Sequence, residues 1–172
     1  LVDRIVVDTD DDEIASAVAE CDARIEVVRR PSVLGASNVS MNDVLVHTLR
    51  QLRLAPDTPV LQTHATNPFL LPETLDRALR IAAPMNRTTS LVSITKHQTR
   101  FYTPNGNPVN HDKQVLIPTQ NLAPLLEENS CLYIFRAGAM LEQKNRLLND
   151  IQFFETPKQE SLDIDNSEDL AL

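Results

Sequence analysis

Glycine is scarce in this sequence: Gly35, Gly106 and Gly138 are the only three in 172 residues, and each is isolated. A loop that cradles phosphates with its backbone needs clustered glycines, so neither a P-loop nor a dinucleotide-binding turn can form here. Cysteine is scarcer still. Cys21 and Cys131 lie in separate apolar contexts, which predicts buried free thiols in a cytoplasmic protein and no metal or redox pair. Positive charge is short: 16 Lys and Arg against 24 Asp and Glu leave a net charge of −8, with no dense basic stretch. Nucleic acid is therefore not an expected partner. No apolar run approaches the ~20 residues of a membrane helix and no charged-then-apolar leader opens the chain, so no membrane association is expected. Repeats, low-complexity tracts and domain-sized linkers are also missing, and the length suits one domain with a sizeable core. Leu1 is no natural initiator and stands almost against an apolar strand. The chain reads as cut from something longer, with any anion-binding loop upstream.

What the sequence does have is a concentration of acid at its end, in Ser161-Leu162-Asp163-Ile164-Asp165-Asn166-Ser167-Glu168-Asp169. An extended backbone sends residues i and i+2 to one face, which puts Asp163 beside Asp165 and turns Ile164 towards the core. Two such carboxylates repel each other unless a cation sits between them. Hard oxygen ligands in a pair suit Mg²⁺, which takes one or two carboxylates together with substrate phosphate oxygens. Solvated acids ahead of a short helix give the same pattern, with Asn166 or Ser167 as the cap and Glu168 and Asp169 in the first turn. A calcium loop of the EF-hand type is excluded, because Glu168 stands where that loop needs glycine.

Along the chain, Arg4-Ile5-Val6-Val7-Asp8 reads as a short buried strand. Asp10 with Glu13 then resembles a capping box opening a helix through Ile14 and Val18. Asp8-Thr9-Asp10 also echoes the paired aspartates of haloacid-dehalogenase-type phosphatases, although Asp12 stands where that motif wants Thr or Val. A second strand over residues 23–28 ends at Arg29-Arg30-Pro31, where proline stops it. Helical spacing of Met41, Val44, Leu45, Leu49 and Leu52 follows the polar residues 37–40. A strand over residues 59–62 leads into the polar loop Thr63-His64-Ala65-Thr66-Asn67-Pro68, and Pro72 opens a helix reaching about residue 83. Strands over 91–94, 131–135 and 152–155 and a helix over 140–148 complete the alternation. That order argues for an α/β fold with a mostly parallel sheet, in which ligands bind at the carboxyl ends of strands. Residues 96–120 differ in texture: an Asn105-Gly106 turn predicts a hairpin, and the stretch reads as an excursion from the sheet. His97 and His111 lie there at no useful metal-ligand spacing, and Lys96 and Arg100 read as a solvated face.

Five pieces in this order form a specific set: Val7-Asp8-Thr9-Asp10-Asp11, Arg30-Pro31-x-x-Leu34, Thr66-Asn67-Pro68, residues 128–135, and Ser161-Leu162-Asp163-Ile164-Asp165. Together they resemble the acylneuraminate cytidylyltransferases (CMP-N-acetylneuraminic acid synthetases and relatives), and the likeness spans essentially residues 1–172. The resemblance implies a Rossmann-like nucleotide-diphospho-sugar transferase fold, with a mostly parallel sheet, helices on both faces and a protruding dimerisation arm, here residues 96–120. It implies an Mg²⁺-dependent enzyme that couples CTP to an acidic nine-carbon sugar and releases pyrophosphate, usually as a homodimer. Asp163 and Asp165 match the family's metal-binding pair. Arg30 matches an arginine near the nucleotide, and Ser40 falls at the following Ser/Thr-rich helix start. Thr66-Asn67-Pro68 matches Thr-Ser-Pro, which places His64 where the family has a substrate-contacting Gln. Met41 replaces a polar residue that commonly helps hold the nucleotide, and the family's opening phosphate loop has no counterpart in these residues.

On this resemblance the sugar's anomeric hydroxyl attacks the α-phosphorus of CTP, and catalysis is positioning plus cation stabilisation of phosphate charge. Arg30 would orient the nucleotide; His64, Thr66 and Asn67 would bond the sugar or base, with His64 taking the hydroxyl proton. The alternatives are a cytidylyltransferase for another keto-acid sugar, such as a legionaminic, pseudaminic or octulosonic acid, and a non-catalytic remnant or partner subunit of this fold.

Overall fold

In the computed structural model, which describes residues 2–171 without the side chain of Leu170, the β-branched run near the start forms β1 (Ile5–Thr9). Leu1 and Leu172, the ends of the expected 1–172 domain, lie outside the described residues. Helix α1 (Asp12–Cys21) carries the chain to β2 (Ile25–Arg29), which pairs in parallel with β1 in the register Ile5↔Ile25 to Thr9↔Arg29. A parallel pair needs such a crossover. The remaining elements follow in order as α2 (Met41–Leu52), β3 (Pro59–Thr63), α3 (Pro72–Ala82), β4 (Thr89–His97), β5 (Leu125–Arg136), α4 (Ala137–Gln143) and β6 (Asp150–Glu155). The α/β class expected from the alternation is the class observed. A second sheet has the strand order β3-β5-β4-β6. Among the described residues no helix is long and apolar enough to cross a membrane.

The chain divides into two compact units, and passes between them within β3, α3, β4, β5 and β6. The first unit comprises Leu1–Leu61, Leu79–Ser90 and Ile134–Ile151. Its core is built by α2, whose periodic apolar residues bury Val44, Leu45, Val46 and Leu49, and by Ala82, Ala137, Ala139, Met140 and Leu148. Each fully buried Leu or Val side chain is worth about 1.5–3 kcal/mol, so this stripe outweighs the ~1 kcal/mol of the Ser40 cap at the start of α2. Gly138 lets α4 begin against residue 56: an added Cβ would lie 2.8 Å from Pro56 Cβ and 2.7 Å from Arg87 Nη2. Lys144 in the left-handed region (φ 51°) ends α4 early, so the helix expected to run to residue 148 stops at Gln143. The cap of α1 also differs from expectation. Asp11, not Asp10, accepts from the Glu13 and Ile14 amides, because Asp10 is taken by Arg30. Cys21, expected buried, is exposed, since α1 covers only two strands and buries none of its residues.

The second unit comprises Gln62–Ala78, Leu91–Tyr133 and Gln152–Leu172. Leu91, Val92, Ile94, Cys131, Leu132, Tyr133 and Phe154 form its buried centre. Two of the buried polar residues inside it are paired across the chain: Ser93 Oγ accepts the Leu132 amide at 2.9 Å, and Asn129 Nδ2 donates to Thr95, Thr156 and Ser161. Within β5, Ser130 adopts φ 59°, a left-handed backbone that breaks the regular pleat beside buried Asn129. In the excursion over residues 96–120 the Asn-Gly turn forms as expected. Gly106 has φ 78°, its amide bonds Thr103 O at 2.9 Å, and Tyr102 bridges Pro108 in antiparallel fashion. Asn110 ties the excursion down, accepting from Phe101 N and donating to Thr99 O and Ala123 O.

Candidate active site

In the second unit, the loop after β3 meets the chain end. The Ile164 amide donates to Thr66 O at 2.8 Å, and the Asn67 side chain donates to Leu162 O at 3.2 Å. Residues 162 and 164 flank Asp163, so the aspartate is held between two fixed points beside Thr66 and Asn67. Asn67 is only 4 % exposed, yet among the described residues its Oδ1 has no hydrogen-bond partner, and neither does the buried Oδ1 of Asp163. Leaving a buried acceptor unmade costs about 1–3 kcal/mol; two in one neighbourhood are a local deficit of donors. His64 belongs to the same loop: its Nε2 lies 2.8 Å from Gln62 Nε2, so the Gln62 amide donates and the ring keeps its proton on Nδ1.

The segment carrying Asp163 and Asp165 was expected to finish a strand, but it has no strand assignment and, among the described residues, meets the loop after β3 through one backbone bond, from the Ile164 amide, and the Asn67 side chain. Asp165 is exposed, and its amide and that of Asn166 donate to Asp169 Oδ2. Asn166 caps the following 3-10 turn as one of the two expected residues, accepting from the Glu168 and Asp169 amides. Negative charge here reaches the core. Burial pushes the Cys131 thiol above its ordinary value, a Ser161 hydrogen bond opposes this, and the charges of Asp163 and Glu160 add to the rise.

Arg30 and Ser40 lie in the first unit. Arg30 Nη1 donates to Asp8 at 3.0 Å, and Nε and Nη2 both donate to Asp10 Oδ1 at 3.1 and 2.9 Å. These three bonds use three of the five N–H donors that a guanidinium carries. Thr48 Oγ1 donates to the other Asp8 oxygen. Arg30 holds the Asp10 carboxyl below its ordinary range. The phosphatase-like reading of Asp8 and Asp10 loses its footing, because both Asp8 oxygens and the Asp10 carboxylate are engaged by neighbours. Gly35 is required at this point: an added Cβ would fall 2.0 Å from Asp10 Oδ2. Ser40 Oγ accepts from the Asn42 amide at 3.1 Å as the α2 cap, which leaves its own O–H to donate elsewhere.

The structure thus brings His64, Thr66, Asn67 and Asp163 into one neighbourhood and gives Arg30 and Ser40 structural partners of their own. Among the described residues no three His, Cys, Asp or Glu side chains converge to hold a metal by themselves. The residues present nevertheless fit a hard divalent cation: two carboxylates three and five positions beyond Glu160, one with an orphaned buried oxygen, leave the remaining positions to substrate and water. Sequence reading missed Glu160, a buried carboxylate that bonds the start of α3, and Asn129 with its three side-chain partners. No local signal marks Glu160, whose partners lie 86 and 89 residues away.

The sequence model of one family, described as cytidylyltransferase, matches residues 1–172. Comparison with curated proteins finds no match. Among solved structures, a 4-diphosphocytidyl-2C-methyl-D-erythritol synthase superposes with a TM-score of 0.71 at 12 % identity, over 99 % of this chain and 78 % of that one. The corresponding synthase of Anaerococcus prevotii DSM 20548 gives 0.64 at 15 % identity, over 99 % and 79 %.

Proposed function

Because the chain belongs to the cytidylyltransferase family and its reaction is transfer of CMP from CTP, we propose that the acceptor is an acidic nine-carbon sugar of the sialic-acid type. The observation that carries this reading is the pair of donorless buried oxygens on Asn67 and Asp163, held where the sequence resembles acylneuraminate cytidylyltransferases. Acceptors without donors favour an occupant that brings a cation or hydroxyls, and a polyhydroxylated sugar acid with Mg²⁺ brings both. The synthase structures share the fold only, since identities of 12 and 15 % carry no substrate.

In the reaction the sugar's anomeric hydroxyl oxygen bonds to the α-phosphorus, the bond to the β-phosphate oxygen breaks, and pyrophosphate leaves. Asp163 and Asp165 would hold Mg²⁺, which supplies charge stabilisation to the phosphate oxygens. On the resemblance alone, Arg30 and Ser40, which belong to the first unit, would contact the nucleotide. Asn67 and Thr66 orient the sugar. His64 donates from Nδ1; it accepts the hydroxyl proton at Nε2 once the Gln62 contact opens. For the quaternary state, the excursion exposes Tyr102, Val109, Val115 and Leu116, the last 87 % exposed. We assign this apolar run to a second copy of the chain, as a homodimer arm.

The test is pyrophosphate release from CTP across a panel of nonulosonic and octulosonic acids, with 2-C-methyl-D-erythritol phosphate included. Release with one nonulosonic acid is expected, with Asp163→Asn lowering kcat/KM by about 10²-fold or more through loss of electrostatic stabilisation. Turnover of the erythritol phosphate alone would transfer the acceptor assignment to it. Silence across the panel would leave a non-catalytic subunit.

A further inference from the structure

We propose that Glu160 is a positioning residue for this site, an inference that rests on the acceptor-site reading above. Its side chain is buried at 6 % exposure, and both carboxylate oxygens are used at the start of α3. Oε2 accepts the Leu71 amide at 3.0 Å and Oε1 accepts the Thr74 hydroxyl at 3.0 Å. Leu71 precedes Pro72, so the helix entrance has an apolar side chain and a residue without an N–H, and nothing local can cap it. A helix alone would be served by a neutral Ser or Thr; burying a carboxylate costs more, unless the tie itself is used.

The tie continues in register. Glu160 bonds Leu71 and Thr74, Leu162 O accepts from Asn67, and the Ile164 amide donates to Thr66 O. As one segment advances from 160 to 164 the other recedes from 74 to 66, so these contacts are rungs of one antiparallel clamp. Asp163 lies between the second and third rungs. Its Oδ1 and that of Asn67 are acceptors without donors. Two such groups would turn away to find hydrogen bonds if the backbones were free. The clamp, anchored by Glu160, keeps them in place for an incoming ligand.

Hydrogen exchange of the Ile164 amide and the Mg²⁺ dependence of pyrophosphate release, measured on Glu160→Ala and Glu160→Gln, test this. Gln can accept from Leu71 and donate to Thr74, so it should behave as the parent does. Ala should speed Ile164 exchange and raise the Mg²⁺ needed for half-maximal rate, each by about 10-fold for the loss of a buried bond pair, with the KM for CTP unchanged. If Ala leaves exchange and Mg²⁺ requirement at parental values, Glu160 is only a helix cap, whatever happens to the melting temperature. If Ala does not fold, Thr74→Val removes one end of the clamp and is read the same way. A parent protein that needs no divalent cation would sink the metal assignment, while the exchange rates alone would still decide the role of Glu160.

Discussion

Arg30 is held on one side by Asp8 and on the other by Asp10, so its charge is more than neutralised before any nucleotide arrives. A group in that position can still bind phosphate, but only through donors the carboxylates leave over. The first consequence is a pH dependence. Since Asp10 has its folded pKa lowered by Arg30, its contribution to stability is present above the unfolded carboxylate value and is lost as pH falls through the folded value. Carboxyl NMR should show Asp10 titrating below the ordinary range, and Arg30→Met should raise it towards that range, with the backbone hydrogen bond and Arg29 still lowering it. An Asp10 resonance unmoved by the substitution would mean that Arg30 is not its partner in solution. The same residues explain why a local reading placed the α1 cap at Asp10. The Asp-rich run offers two equivalent caps, and the choice is made by an arginine 20 residues on, at the end of the paired strand. For Asp163 and Asp165 the Asp-x-Asp pattern marked the pair but fits a metal site and solvated acids equally, and only the family resemblance chose between the two.

At the scale of elements, the helices with clear apolar periodicity were read to within a residue or two, α2 and α3 above all. β4 and β5 were read too short. They extend through Ser90, Thr95 and Asn129, polar residues whose hydrogen-bond partners belong to other segments and leave no trace in a hydropathy pattern. α4 shows the opposite error, because Leu147 and Leu148 look helical but follow a left-handed Lys144. Here the starts of α2 and α4 can be ranked by substitution. Ser40→Ala should cost about 1 kcal/mol, the ordinary worth of such a cap. Gly138→Ala, which must displace Pro56 and Arg87, should cost about 1–3 kcal/mol. Urea denaturation measures both, and equal effects would show that the approach of α4 to residue 56 yields easily.

On the scale of the whole molecule, the proposed assembly rests on the excursion over residues 96–120. Its hairpin turn was visible in Asn105-Gly106; the exposure of Val115 and Leu116 was not, since exposure depends on surroundings that a local sequence does not state. Leu116→Asp should convert a dimer to a monomer in light scattering while leaving the far-ultraviolet circular dichroism intact. A protein already monomeric at micromolar concentration would refute the arm assignment.

The pairing of β1 with β2 has a practical consequence of its own. Among the described residues these two strands pair only with each other, and Ile5 is 53 % exposed at the start of β1. Parallel strands are ordinarily shielded on both faces, and an uncovered strand margin recruits whatever extended peptide it meets. Concentrated solutions of this chain should therefore self-associate through that margin, which light scattering against concentration would reveal.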